Sequence, residues 1–383
     1  MTRVFERPSE EAYAQWIRRV VRRSRQDGRS FISLFDSSVP EPVELLQETI
    51  AAGFSRPLTS RYTSAFSGGN PYVLDVVAAR HGVPRDQVIC TTGATGALAL
   101  LYRALTRPGD HVLVETPGFD LFTDLAKAQH LSVTSFARTG ERYEIDVDAV
   151  MEAAQPNTRL IVISNLHNPS GMLASPETLV ALATAAEQRG IRVVVDEVYG
   201  DYADVAARPE PAACLAPNLI TINSVTKIYG LATLRCGWIV AAPDIMASIR
   251  ALSDRTEFGI SNLSHAVAAL VLENSAPFEA FSADMIAAAR PVLERYYNRW
   301  QAEGLVEGQL PDAGCICFPR LAGIADSYSF SEWLAAEQQV IVAPGEYFDA
   351  PGHIRIGFGK EADQLEQGLM RLEAGLRTWR AGV

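Results

Sequence analysis

The chain has 383 residues, 48% of them hydrophobic and 21% charged, enough to bury a substantial core in two domains or in one large domain with a smaller companion. A formal net charge of −11 argues against nucleic acid as the main partner, because phosphate neutralisation needs clustered excess base. No apolar run approaches a membrane span, and the five cysteines (Cys90, Cys214, Cys236, Cys315 and Cys317) match neither a zinc site nor a disulfide framework. No bound metal, no membrane partner and a reduced, cytoplasmic setting are therefore expected, and nothing before residue 30 has the continuous apolar core of a secretion signal.

Arg18, Arg19, Arg22, Arg23 and Arg25 crowd an N-terminal segment that also carries Trp16, Ile17, Val20 and Val21. That pattern predicts an amphipathic helix with a solvated basic face, the alternative being a helix lying on a membrane surface. An extended arm over residues 31–40 follows, then a helix with Leu45, Leu46 and Ile50 at helical spacing. From about residue 85 to 240, short apolar runs alternate with helical stretches: Val88-Ile89-Cys90, Val112-Leu113-Val114, Ile161-Val162-Ile163, Val193-Val194-Val195 and Leu219-Ile220-Thr221-Ile222. Runs apolar on both faces and separated by helices indicate a mainly parallel sheet covered by helices. After about residue 275 the pattern changes to a long helix over 279–300, kinked near Pro291, then three short strands and a closing helix. The expected division is an N-terminal helix and arm (1–45), a large α/β domain (46–275) and a smaller α+β domain (276–383) to which the arm belongs.

Ligands of a parallel sheet collect at the carboxyl ends of its strands, and the polar residues of this chain cluster there. After the first run comes Thr91-Thr92-Gly93-Ala94-Thr95-Gly96-Ala97, a small-residue turn whose following helix N-terminus can meet an anion. Its glycines do not match the dinucleotide fingerprint. Phe119 follows the second run and could lie flat on an aromatic ring; Asn168 follows the third in Asn168-Pro169-Ser170-Gly171. Asp196-Glu197-Val198-Tyr199 ends the fourth, and an acid there is costly unless paired. After the fifth, Ser224 and Lys227 precede Arg235: a lysine in a desolvated loop can form an imine, and an arginine fork with a hydroxyl suits a phosphate. Aldehyde plus phosphate is what pyridoxal 5'-phosphate (PLP) presents. Arg355, alone among apolar neighbours in His353-Ile354-Arg355-Ile356, requires an anion. Taken singly each has a plain reading, as a tight turn, a core aromatic, a surface lysine or an internal ion pair. Their common position at strand ends is what argues otherwise.

The stretch from Ser224 to Arg235 resembles the lysine signature of the class I/II aminotransferases, the aspartate-aminotransferase-like PLP enzymes of fold type I, and the other stations follow in that family's order. The resemblance covers about residues 40–375. It implies a mainly parallel seven-stranded sheet sandwiched by helices, PLP as cofactor, and transfer of an amino group between an L-amino acid and a 2-oxo acid. It further implies that Lys227 binds the cofactor as an imine and moves the proton, that Asp196 keeps the pyridine nitrogen protonated, and that Tyr199 and Asn168 contact the phenolic oxygen. Ala94, Thr95, Ser224 and Arg235 would hold the phosphate, Phe119 would stack on the ring, and Arg355, with Asn168 beside it, would take the substrate carboxylate. A homodimer is implied as well, with Tyr62 reaching the partner's phosphate. His167 is expected to be structural.

Three places depart from the family pattern. Thr233 stands where glycine is common, Asp36-Ser37-Ser38 replaces a glycine-bearing entrance loop, and Val73-Leu74 replaces a leucine–arginine pair. The entrance-loop departure keeps open a synthase, lyase, cyclase or oxidase outcome at the same site, as in the capreomycidine-synthase-like cyclases. Arg255, Glu257 and Asp254 lie where relatives select the substrate side chain, or form an ordinary salt-bridged turn. A PLP-binding regulator would need a DNA-reading domain, for which residues 1–40 are too short.

Overall fold

The computed structural model describes residues 5, 11–26, 30–55, 61, 62, 68–202, 208 and 210–382. Seven strands form one sheet in the order Val88–Thr91, Gly237–Val240, Leu219–Ser224, Arg192–Asp196, Thr158–Ser164, His111–Thr116, Ser132–Ala137. Gly237–Val240 runs antiparallel to both neighbours, and the other neighbouring pairs are parallel. Alternation of side chains along each strand feeds two packed layers. Val112, Val162, Val194 and Ile220 face one cluster with the helix Gly93–Leu105, while Leu113, Ile161, Val193 and Val195 face another with Pro176–Glu187. Both faces are covered, so the central strands are apolar throughout.

The edge strand Ser132–Ala137 has no counterpart among the predicted runs. Four of its six residues are solvent-exposed, so its sequence is polar where the central strands are continuous hydrophobe. The helix Gly93–Leu105 begins at the glycine of the small-residue turn, five residues before the apolar Leu98 that its periodicity marks. The long helix spans Ser275–Ala302 with Pro291 inside it.

The chain's two ends pack together. The arm strand Ile32–Ser33 pairs in parallel with Val340–Ile341, and Leu34 joins the cluster built by Leu293, Trp300, Phe330 and Leu369. The N-terminal helix Tyr13–Gln26 buries Tyr13, Trp16 and Val20 against Phe35, Tyr347 and Phe348. Its arginines are not simply solvated: Arg19 pairs with Glu11 at 2.8 Å and with Glu332 at 3.1 Å, and Arg23 also reaches Glu332. Arg25 lies outside the residues whose side chains are described. Among the described residues no helix is long and apolar enough to cross a membrane, and no group of His, Cys, Asp or Glu could hold a metal ion.

Candidate active site

Six strands of common sense end at one edge of the sheet, at Thr91, Thr116, Ala137, Ser164, Asp196 and Ser224, and the antiparallel strand begins there at Gly237. The loops leaving this edge, together with the arm and the N-terminal helix, enclose a cavity of about 430 Å³. Every expected site residue except Tyr62 lines it. Tyr62 stands 42% exposed away from its own cavity, and Thr63 and Ser64 of its motif lie outside the described residues.

Lys227 enters from the loop after Leu219–Ser224. Its Nζ donates to Ser37 Oγ at 2.8 Å and lies 5.2 Å from the centre of the Tyr199 ring. Its backbone carbonyl accepts from Tyr202 Oη at 2.7 Å, and the same hydroxyl accepts from Val39 N–H, which fixes the loop to the arm. Among the described residues the carboxyl of Asp196, 8% exposed at the tip of its strand, accepts only from Val198 N–H, at 3.2 Å. Burial pushes its carboxyl up to about 7, against that donor and the opposing charge of Lys227. The Tyr199 hydroxyl is buried without a partner among the described residues.

Beside the lysine lies a cradle for an anion. The helix Gly93–Leu105 starts with no side-chain cap on its first N–H groups. Arg235, held in the left-handed conformation at φ 48°, aims its guanidinium at that start. A Cβ at Gly93 would lie 2.6 Å from Arg235 Nη2, so glycine is what lets the fork approach. Ser224 is buried at the mouth of the same cradle. Thr233, which replaces the expected glycine, is exposed and donates to Glu41 at 3.0 Å.

At the far wall Arg355 is 1% exposed. Its Nη1 donates to Asn168 Oδ1 at 2.8 Å and its Nη2 to the Phe35 carbonyl at 3.2 Å and to the Tyr13 hydroxyl. The guanidinium sits between the rings of Tyr13 and Phe348, 5.1 and 4.9 Å from their centres. With Oδ1 of Asn168 engaged, the amide NH₂ of that residue is the group left to donate into the cavity. Phe119 meets Tyr13 edge-on at 6.2 Å.

Several contributors have no local sequence signal. Arg138 and Glu115 form an ion pair of 2.7 Å, 1% and 0% exposed, under the strand ends. Burial pushes Glu115 upward, opposed by Arg138 and by the Ser164 N–H and hydroxyl, which donate to it at 2.8 and 2.5 Å. Ser164 Oγ in turn accepts from Asn168 N–H at 2.8 Å, so a continuous chain of bonds sets Asn168 and, through it, Arg355. Glu115 was visible only as an acid between an apolar run and a proline, and Ser37 only as a departure from a pattern. Tyr13 carried no signal beyond helix amphipathicity.

Other marked residues fall elsewhere. His167 is fully buried, with one ring nitrogen against Ser170 Oγ and the other against the Pro117 carbonyl, and burial holds its pKa well below the usual value. Glu197 is not at the surface: it is 7% exposed, accepts from Ala212 N–H, and burial raises its carboxyl to about 8. Glu257 accepts from Arg103 and Ser253, and Arg255 is exposed outside the cavity.

This donor set suits PLP on its own evidence. It combines an amine, a buried acid, an orphaned tyrosine hydroxyl, an uncapped helix start facing an arginine, and a second arginine with no acid partner among the described residues. Comparison with known proteins agrees. The model of the family "Aminotransferase class I and II" matches residues 67–372. Capreomycidine synthase of Streptomyces vinaceus is 30% identical over 323 residues, covering 82% of this chain and 81% of its own length. An aspartate aminotransferase of Streptomyces avermitilis is 25% identical over 358 residues, covering 87% and 86%. Among solved structures, the PLP-dependent cyclase OrfR superposes with a TM-score of 0.82 at 25% identity over 98% of this chain and 99% of that one. Thermus thermophilus aspartate aminotransferase with maleate gives 0.83 at 22% identity over 96% and 97%, a likeness of fold. The chain therefore belongs to the class I and II aminotransferases, PLP-dependent enzymes built on the aspartate aminotransferase fold.

Proposed function

We propose that the chain moves an amino group between an L-amino acid and a 2-oxo acid, and that the residues lining the 430 Å³ cavity divide the work as follows. Lys227 binds the cofactor and, once released as a free amine, carries the proton taken from the substrate Cα. Asp196 stands against the pyridine nitrogen, where a protonated ring relieves the cost of the buried carboxylate. When bound, PLP supplies an electron sink conjugated to the substrate nitrogen. Tyr199 and the Asn168 amide donate to the phenolic oxygen, and Phe119 covers the ring. Ala94, Thr95, Ser224 and Arg235 hold the phosphate at the helix start. Arg355 takes the substrate carboxylate, which turns the Cα–H bond to where Lys227 can reach it.

The observation that carries this reading is the joint presence of Lys227, Asp196 and the buried Arg355 around one cavity. A visible spectrum of PLP-loaded protein, taken with a panel of amino acids, tests it. The expected result is a visible band that one amino acid bleaches and a 2-oxo acid restores, and that is absent in Lys227→Ala, whose turnover falls by about 10²–10⁴-fold from lost proton transfer alone. An unchanged band in Lys227→Ala would remove the assignment.

A second outcome at the same site, cyclisation or elimination, is favoured by the similarity to capreomycidine synthase and to the cyclase, and by Ser37 standing against Lys227. A modified amino acid, or a 2-oxo acid accompanied by free ammonia, released with the original band restored and no amino group left on the cofactor, would select it.

We also propose a cytoplasmic homodimer in which Tyr62 enters the partner's phosphate site. Supporting it are the outward Tyr62 and the exposed Val43, Leu263 and Phe258, the last 97% exposed. The five free cysteines fit a reducing compartment. The division into 1–45, 46–275 and 276–383 is likewise proposed, supported by the shared cluster of Leu34 with Trp300, Phe330 and Leu369.

A further inference from the structure

Arg355 is a buried cation whose protein contacts are all neutral. Its partners are an amide oxygen, a backbone carbonyl and a phenol, and among the described residues no carboxylate comes within ion-pair distance. Its Nε–H has no acceptor among the described residues. The phenol is in the same position: Tyr13 Oη accepts from Arg355 Nη2, and among the described residues nothing accepts the tyrosine's own proton. Two donors therefore lie together in the cavity lining without an acceptor among the described residues, and neither of the acids that line the same cavity, Asp36 and Asp196, is hydrogen-bonded to them. Leaving such donors unmet in a buried site is costly, and a carboxylate meets both at once.

We propose that Tyr13, from the N-terminal helix, is a ligand of the substrate α-carboxylate alongside Arg355, and so a determinant of which amino acids the site accepts. This rests on the assignment of Arg355 to the carboxylate. The tyrosine keeps its proton, because burial raises it to about 12 against the lowering effect of Arg355. One carboxylate oxygen receives the Tyr13 O–H and the other the guanidinium, while the phenol oxygen continues to accept from Nη2.

The surrounding packing fixes the hydroxyl. Tyr13 is the first residue of its helix, and its backbone N–H donates to Asp120 Oδ2 at 2.6 Å. Its ring stacks on Trp16 at 5.5 Å and meets Phe348 and Tyr347 at 5.6 and 5.9 Å. Ala14 and Ile17, on the next positions of the same helix, line the cavity beyond the hydroxyl. A substrate side chain extending away from its carboxylate on this side meets an apolar wall supplied by the N-terminal helix. The site would thus read the carboxylate and the start of the side chain through one element.

The test uses PLP-loaded enzyme titrated with propionate, a carboxylate without an amine, read through the shift of the visible band. Wild type, Tyr13→Phe and Arg355→Gln are compared, with melting temperature as the control for folding. Tyr13→Phe keeps the ring and its stacking and should weaken propionate by about ten- to a hundredfold, the size of one hydrogen bond to a charged group. The KM for the amino acid should rise in parallel and kcat should change little. Propylamine, which has no carboxylate, should react equally with wild type and Tyr13→Phe. If Arg355→Gln weakens propionate while Tyr13→Phe binds it as tightly or more tightly, the tyrosine is a competitor for Arg355 and the proposal falls. If Arg355→Gln leaves propionate unchanged, it is the carboxylate assignment of Arg355 that falls.

Discussion

At one end of the cavity Ser224, Lys227 and Arg235 come from a single loop and meet one helix start, whereas at the other end Arg355 is held by Tyr13, Phe35 and Asn168, which are scattered over most of the chain. The first end is made largely of backbone: an uncapped helix, a left-handed arginine and a glycine that a Cβ would crowd. The second is made of side chains meeting across long sequence separations, stiffened by the buried Glu115–Arg138 pair. The contrast follows from the ligands each end is proposed to serve. A phosphate offers the same face in every turnover, so a fixed backbone cradle suffices. A substrate carboxylate must be admitted and released, and the groups that hold it are side chains brought together from separate elements.

The comparison breaks most readily at the buried pair. Glu115→Ala leaves Arg138 charged and uncompensated beneath the sheet edge and should cost about 3–5 kcal/mol. Because Ser164 loses its acceptor and Asn168 its anchor, KM for the amino acid should rise more than PLP affinity falls. Denaturant melts beside a PLP titration check both, and equal losses at the two ends would erase the distinction between them.

A smaller effect concerns Asp196. Its folded pKa of about 7 lies above the ordinary 3.8, so folding takes up a proton between those values. Protein without PLP should therefore hold this contribution at the acid end and lose it as pH rises from about 4 to about 7. Glu197, raised to about 8, and Asp120, raised to about 6, act in the same sense, so Asp196→Asn should flatten the slope and not abolish it. Melting temperatures across that range measure it, and a slope identical to wild type would remove Asp196 from the account.

The smallest change is Gly93→Ala. A positive φ of 72° costs an L-residue about 1–2 kcal/mol, and the added methyl pushes on Arg235. PLP affinity should drop while propionate binding at the Arg355 end stays constant in whatever fraction is loaded. An effect on propionate would mean that the two ends are coupled through the helix.

The same contrast explains what could be read in advance. Lys227, Asp196 and Asn168 stand at the ends of apolar strands, where hydrophobic runs and parallel topology leave little freedom, so their convergence was legible. The edge strand Ser132–Ala137 escaped because exposed residues on both of its faces dilute its apolar signal. Tyr13 and Ser37 escaped for a different reason. Their contacts depend on where a helix and an arm fold back on the remote end of the chain, and no local periodicity encodes that return. Glu197 stands beside Asp196 in the same motif, and nothing in that position signals that Ala212 N–H and burial await it.

The arm also crosses the strand Ile354–Gly357 so closely that Gly357 N–H donates to the Leu34 carbonyl at 2.7 Å, and a Cβ at Gly357 would overlap the Asp36 carbonyl oxygen. Two residues to one side lies Arg355, and one residue beyond Asp36 lies Ser37 against Lys227. The crossing behaves as a rivet: the arm cannot slide without dragging the arginine, and the arginine cannot withdraw without opening the arm. Anyone redesigning this scaffold for bulkier substrates gains nothing by loosening that joint. The room has to come from exchanging side chains at 37 and 38 or along the inner face of the N-terminal helix.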